Sequence, residues 1–347
     1  MLSALKKAKL RGAKIITINP LPEAGIIKFK DPQSVSDVMG GGVSLTDLFL
    51  QVRINGDVPL MKAILKRLLE LERKSPGSVF DQAFIESKTA GYQDLCDDLD
   101  RYHFSNLCEE SGVQQAEVEA AVNLLANTDK IIACWAMGLT QHKNGIDNIQ
   151  EVVNLLLAKG SIGKPGTGTC PVRGHSNVQG DRTMGIWEKP KPEFLDKLGE
   201  HFNFKPPREH GLDVVDSIKR MHENSGMVFI AMGGNFLSAT PDTSYTAEAL
   251  RNCMLTVHVS TKLNRSHLVT GKRALILPSL GRSDEDIQAS GRQFVSVENS
   301  MGVVHSSTGK LKPLSKELLS EPAIIAGIAK ATLKQNHVDW SAMVDDY

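Results

Sequence analysis

The stretch from Ile131 to Gly185 constrains this chain more than any other part of it. It runs IIACWAMGLTQHKNG, an apolar β-type segment emptying into a Gly/Thr/Gln/His loop. IDNIQEVVNLLLAKG follows with helical spacing, and then SIGKPGTGTCPVRGHSNVQGDRTMG. The last block reads as one long polar loop, with seven glycines between Gly160 and Gly185. Glycine at that density lets backbone N–H groups approach a ligand closely and adopt positive φ. Loops that follow strand ends in an α/β layout are where phosphates and nucleotides sit. Thr140, Gln141, His142, Arg173, His175, Asn177 and Gln179 add side-chain donors along the same loops. The pattern points to a large, anionic ligand rich in hydrogen-bonding groups. The plainer alternative is two surface loops built of turn residues, but ordinary connections are much shorter than the second one.

At 347 residues the chain is long enough for a substantial core and two domains. Forty basic and forty acidic residues give a formal charge of zero, without the basic excess that a nucleic-acid footprint requires. No run approaches the roughly 18 apolar residues of a membrane helix, and the start MLSALKKAKLRGAK is a basic amphipathic helix without a secretory core. The five cysteines, Cys96, Cys108, Cys134, Cys170 and Cys253, form no CxxC or CxxxC element, so no iron–sulfur cluster or zinc site is visible. Scattered cysteines fit a reducing compartment, and a soluble cytoplasmic α/β protein is expected.

Along the chain, Leu2 to Leu10 reads as a helix and Lys14 to Asn19 as a short buried strand stopped by Pro20. A strand over Leu48 to Ile54 delivers Asn55-Gly56-Asp57. Val58 to Glu72 then carries Leu60, Ile64, Leu65, Leu68, Leu69 and Leu71 at helical spacing, a stripe expected in the core. Helices are expected over Phe84 to Leu99 and Gln114 to Ala126, and strands over Lys130–Trp135, Met227–Met232, Met254–Ser260, Arg273–Leu277 and Phe294–Glu298. Pro190 to Pro207, charged and proline-rich, reads as a surface loop. Strands alternating with helices predict a mostly parallel sheet with helices on both faces. The expected domain boundary lies near Gly112, giving domains 1–112 and 113–347.

Four loops leave strand ends with polar or glycine content: Asn19-Pro20, Asn55-Gly56-Asp57, Gly138 to His142, and Gly233-Gly234-Asn235. Each alone is an ordinary turn, and four together exceed what turns need. Asp57 has two readings of equal weight. Its carboxylate can accept two parallel N–H bonds from a guanine edge, or it can cap the helix that follows. Arg173 offers a planar fork suited to an oxyanion, and His175 could shuttle a proton. A structural arginine bracing the long loop is the alternative.

These residues resemble a known family. GLTQHKNG, LLLAKGSIGKPGTGTCPVRGHSNVQGDRTMG, and MGGN followed by ATPDT look like the molybdopterin oxidoreductases of the dimethyl-sulfoxide-reductase superfamily, in the formate-dehydrogenase-like branch. The likeness spans the whole chain through blocks such as AKLRGAKIITINPLPEAG, LFLQVRINGD and VSTKLNRSHLVTGKRALILPSLGR. It implies two Rossmann-like α/β domains with mostly parallel sheets and a molybdenum bis-(molybdopterin guanine dinucleotide) cofactor, each domain binding one guanosine end. Asn19 and Pro20 with Arg53, Gly56 and Asp57 would then hold one guanine nucleotide. Gly233, Gly234 and Asn235 with Ser260, Thr261 and Lys262 would hold the other. Gly138, Thr140, Gln141, His142, Gly174 and Asn177 would line the pterin and metal side. Arg173 matches the arginine that orients a small anionic substrate beside the metal. Most formate dehydrogenases carry Gln two positions later, where this chain carries His175.

The resemblance also implies that the family's N-terminal part, with the metal ligand, and its C-terminal barrel-like domain lie outside residues 1–347. The chain is then the central segment of a two-electron oxidoreductase, expected to be redox-silent when made alone. A nucleotide-binding module without redox chemistry and a scaffold subunit are the readings from other classes.

Overall fold

The computed structural model describes residues 2–31, 35–175, 177–299, 302–333 and 338–347, with Ser36 and Val38 in backbone only. The chain divides into two compact units, the first ending at Gly174 and the second beginning at His175. In the first unit β1 (Ile16–Ile18) pairs in parallel with β2 (Leu48–Leu50), and β3 (Ile132–Trp135) with β4 (Gly168–Pro171). In the second, β5 (Val228–Met232), β6 (Leu255–Ser260) and β7 (Arg273–Pro278) form a parallel sheet in that order. Two antiparallel ribbons follow, β8 (Ile287–Gln288) with β9 (Gly291–Arg292) and β10 (Val295–Glu298) with β11 (Val304–Ser307). This is the α/β architecture with mostly parallel sheets that the strand–helix alternation predicts.

The first unit is built around the helix Asp57–Lys74. Its Leu60, Ile64, Leu65 and Leu68 are fully buried, and Leu69 nearly so, as the 3.6-residue spacing requires. Leu107, Val118, Val122 and Leu155 close over that stripe from the helices Phe104–Ser111, Gln115–Ala126 and Gly145–Ala158. Glu72 is buried at the end of the stripe, where its carboxylate accepts from the backbone N–H of Gly77 (2.5 Å), Val79 and Phe80 (2.9 Å each) and from Gln82 Nε2 (2.6 Å). Burial alone would raise this carboxyl, but those four donors hold it below the ordinary glutamate range. The buried Lys159 Nζ donates to Val79 O at 2.7 Å, so two opposite charges pin one loop.

Several expectations need correction. The division falls after Gly174 and not near Gly112. Gly112 (φ +78°) ends the helix Phe104–Ser111 inside the first core, and the next residue, Val113, belongs to the same buried cluster. The helix expected over Phe84 to Leu99 is two, Gln82–Lys88 and Tyr92–Asp100, because Gly91 turns left-handed (φ +76°) between them. Pro190 to Pro207 contains a helix, Pro192–Phe202. Pro192 opens it at a position whose N–H would have no partner, and Leu195 is buried. Finally, the long loop after Gly160 is interrupted by β4 and by the helix Val178–Thr183.

In the second unit, Ile218 and Met221 of the helix Val214–Glu223 pack with Ala247 and Leu250 of the helix Thr243–Asn252 and with Phe229 of β5. On the other face of β5, Val228, Ile230 and Met232 alternate outward and are exposed, whereas Val257 and Val259 beside them on β6 are buried.

Candidate functional site

Within the first unit a cleft of about 640 Å³ lies between β1 and β3. Ile16, Ile18, Ile132 and Cys134 give it apolar walls, and polar groups gather where the strands end: Asn19 after β1, Arg53 and Asp57 after β2, Gly138 and His142 after β3. Strand-end loops of separate βα units converge there because parallel strands all deliver their C-terminal ends to one edge. Pro20 also lines the cleft. Gly56, Thr140 and Gln141 belong to the same loops without lining it.

The turn that presents Asp57 is built from Asn55, held at φ +66°, and Gly56, where a Cβ would come within 2.8 Å of Ser111 O. Gly56 is the helix N-cap residue and Asp57 the first helical residue, so the carboxylate does not cap the helix from the N-cap position. It is half-buried. Burial pushes it above the ordinary aspartate range, and the charge of His142 pulls part of the way back. Arg53 is partly structural, since Nη1 donates to Glu109 O at 3.1 Å and its backbone N–H to Ser111 O at 2.9 Å. Asn19 Nδ2 donates to Leu21 O at 2.6 Å, fixing the exit from β1.

After β3 the chain makes one helical turn, Met137–Thr140, before the helix Gly145–Ala158. Asn148 of that helix donates from Nδ2 to Leu139 O at 2.9 Å, lines the cleft, and keeps a buried Oδ1 without a partner. Sequence reasoning missed Asn148. Its signal was a polar residue in register with Val152 and Leu155 on an otherwise apolar helix face. Val172 also lines the cleft, while Arg173 and Gly174 follow as the last residues of the first unit. A Cβ at Gly174 would come within 2.8 Å of the Met137 side chain.

His175 opens the second unit and is exposed. Ser176 of the same block lies outside the described residues. Asn177 is occupied structurally, its Oδ1 accepting from the Glu298 N–H of β10 at 2.9 Å. Elsewhere in this unit the ends of β5 and β6 lie side by side, Met232 opposite Val259, which brings Gly233, Gly234 and Asn235 beside Ser260, Thr261 and Lys262. Gly233 and Gly234 are both left-handed (φ +66° and +70°), with nothing within 4 Å of where a Cβ would stand. Asn264 Nδ2 ties the loops together by donating to Gly234 O at 2.7 Å. Among the described residues no helix is long and apolar enough to cross a membrane.

Comparison with known proteins agrees with the family blocks. An uncharacterized oxidoreductase of Mycobacterium tuberculosis (strain ATCC 25618 / H37Rv) is 50% identical over 348 residues, covering 100% of this chain and 45% of its own. The protein YdeP of Escherichia coli K12 is 44% identical over 352 residues, covering 100% and 46%. The resemblance to the formate-dehydrogenase-like molybdopterin oxidoreductases is borne out. The F420-dependent formate dehydrogenase 1 subunit alpha of Methanococcus maripaludis is 26% identical over 288 residues, 81% of this chain and 38% of that one. Acetylene hydratase from Pelobacter acetylenicus shares the fold, with a TM-score of 0.55 at 16% identity over 94% of this chain and 44% of that one. No protein-family model matches the chain. The chain spans about half the length of the curated relatives it matches.

Proposed function

We propose that this chain is the central part of a cytoplasmic molybdenum oxidoreductase with a bis-(molybdopterin guanine dinucleotide) cofactor, acting on a small anionic substrate. The observation that carries the reading is the strand-end cleft gathering Asn19, Arg53, Asp57, Gly138 and His142 from three separate loops. The donor and acceptor set fits a guanine nucleotide. Asp57 is a half-buried carboxylate outside the N-cap position, suited to the paired N–H groups of a guanine edge. Gly233 and Gly234 leave bare backbone beside the hydroxyls of Ser260 and Thr261 and the ammonium of Lys262, a set suited to ribose and phosphate oxygens.

When bound, the molybdenum–pterin group would supply the two-electron redox step. The chain's own residues bind and orient. Asp57 accepts from the base, Gly138 lets the backbone approach closely, and the Asn148 amide holds the loop that carries it. Arg173 holds a small anion in its planar fork, and His175 exchanges a proton through its imidazole.

Titration of the purified chain with guanosine diphosphate tests the reading. Binding is expected, with adenosine diphosphate weaker, and Asp57→Asn should weaken guanosine diphosphate by about tenfold or more, the loss of a hydrogen bond to a charged group. Equal affinity for the two nucleotides, unchanged in the variant, would remove Asp57 from base recognition. The segment alone should carry no stoichiometric molybdenum and no viologen-linked activity; finding either would overturn its role as one part of a larger site. In the complete enzyme, Arg173→Lys should lose anion orientation although the charge remains, and unchanged turnover and affinity would assign Arg173 to structure.

A further inference from the structure

Cys134 and Cys170 stand directly opposite each other on the parallel strands β3 and β4, in register as Cα partners. Side chains of paired residues in a sheet project to the same face, so the two thiols are neighbours although 36 residues of sequence separate them. Neither is sealed in the core: Cys134 is exposed and Cys170 half-buried, whereas Cys96, Cys108 and Cys253 are buried singly. Cys134 also lines the cleft, so solvent reaches it between apolar walls. Burial by those walls, and then the Cys170 sulfur beside it, push the Cys134 thiol up to about 11. Two accessible thiols side by side can serve in turn as the attacking and the resolving sulfur.

We propose that Cys134 and Cys170 are a redox-responsive dithiol that closes to an internal disulfide by exchange with a small-molecule disulfide of the glutathione type. One of the two, as its thiolate, attacks one sulfur of the oxidised reagent, forming a mixed disulfide and releasing one small thiol. The other then gives its proton to solvent and attacks the sulfur bonded to the first, expelling the second small thiol. Two protein thiols are oxidised and one disulfide is reduced to two thiols, with no other oxidant needed.

The geometry admits the bond and keeps it labile. Parallel strands lie roughly 4.7–4.9 Å apart, inside the roughly 4.4–6.8 Å that disulfides span between Cα atoms. Side chains standing upright from neighbouring strands keep their Cβ atoms wider apart than the roughly 3.8 Å a relaxed disulfide prefers, and strain of that kind makes the bond easier to reduce. The pair sits one step before the strand ends, where Trp135 faces Pro171 and Val172 N–H donates to Trp135 O at 2.6 Å. Closing it would draw together the roots of the Gly138–His142 and Arg173 loops.

The test is to treat the folded chain with oxidised glutathione, block remaining thiols with an alkylating reagent, and map peptides by mass spectrometry. The wild type should lose the Cys134 and Cys170 thiols together, with no glutathione retained, and dithiothreitol should restore both. Cys134→Ser and Cys170→Ser, each lacking the resolving thiol, should instead trap glutathione on the cysteine that remains. Cys96, Cys108 and Cys253 serve as internal controls and should be alkylated only after denaturation. A wild type that keeps both thiols, or that ends with separate glutathione adducts on each, overturns the proposal without recourse to either variant.

Discussion

The two units use the same alternation of strands and helices and build buried clusters of very different size. In the first, one buried cluster runs from Leu50 of β2 through the helix Asp57–Lys74 to Ala158 and spans about six-tenths of the unit's length. In the second, the principal cluster is short, Ile218, Met221, Leu237, Ala247, Ala249, Leu250 and Cys253, and meets one face of β5 at Phe229. On the other face Val228 and Ile230 are each 51% exposed, although parallel sheets ordinarily bury both faces. A strand–helix pattern in sequence thus fixes the order of layers, and it leaves open how many of those layers one stretch of chain supplies.

The largest effect should come from the first core. Leu65 and Leu68 are fully enclosed, and Leu65→Ala or Leu68→Ala should cost about 3–5 kcal/mol, read as faster amide exchange throughout the first unit. On β5, Phe229→Ala should cost about 3 kcal/mol because Phe229 packs on Phe236 and the second core, while its outward neighbour Ile230→Ala should stay within about 0.5 kcal/mol. Equal costs at Phe229 and Ile230 would show that both faces of β5 are covered and would break the comparison.

A somewhat smaller effect is expected at Glu72. Glu72→Ala leaves the N–H groups of Gly77, Val79 and Phe80 without their acceptor and should destabilise the first unit by about 3 kcal/mol. The second unit should keep its unfolding transition in this variant. Loss of protection in both units together would mean that they unfold as one.

The sequence made the large elements legible and the short ones less so. Leu60, Ile64, Leu65, Leu68 and Leu69 repeat at helical spacing over many turns, and tertiary packing agrees with that signal. Breaks that depend on one backbone angle, such as Gly91 between two helices, leave no mark on hydrophobic periodicity. The prolines and charges of Pro190 to Pro207 mimic a loop, although Pro192 opens a helix. At the site, the cleft collects Asn19, Pro20, Arg53, Asp57, Gly138 and His142, all legible as residues of the loops after strand ends. The bond that Asn177 accepts from Glu298 links positions 121 residues apart, beyond any local pattern. Asn148 was hidden for a related reason, since its partner Leu139 lies across a turn that the sequence read as open loop.

The smallest expected effect is an order of loosening on acidification, which separates the units by charge alone. His258 of β6 is buried, its ring 4.9 Å from that of His267 and 6.2 Å from that of Phe229, and the Nε2 atoms of both histidines lack partners. Burial first, and then the neighbouring His267, hold His258 below the ordinary value of 6.5. The unfolded chain therefore takes up this proton before the folded one does. Stability is undiminished above pH 6.5 and drains as pH falls from there towards the folded value. For Glu72, also lowered, the corresponding loss begins only as pH falls through 4.5. Asp57 has the opposite sign: its raised folded value means that protonation on acidification favours the folded first unit. Between pH 6.5 and 4.5 the second unit should lose amide protection while the first holds, and His258→Leu should flatten that slope. First-unit amides opening earlier than those of β6 would show that charge burial does not set the order.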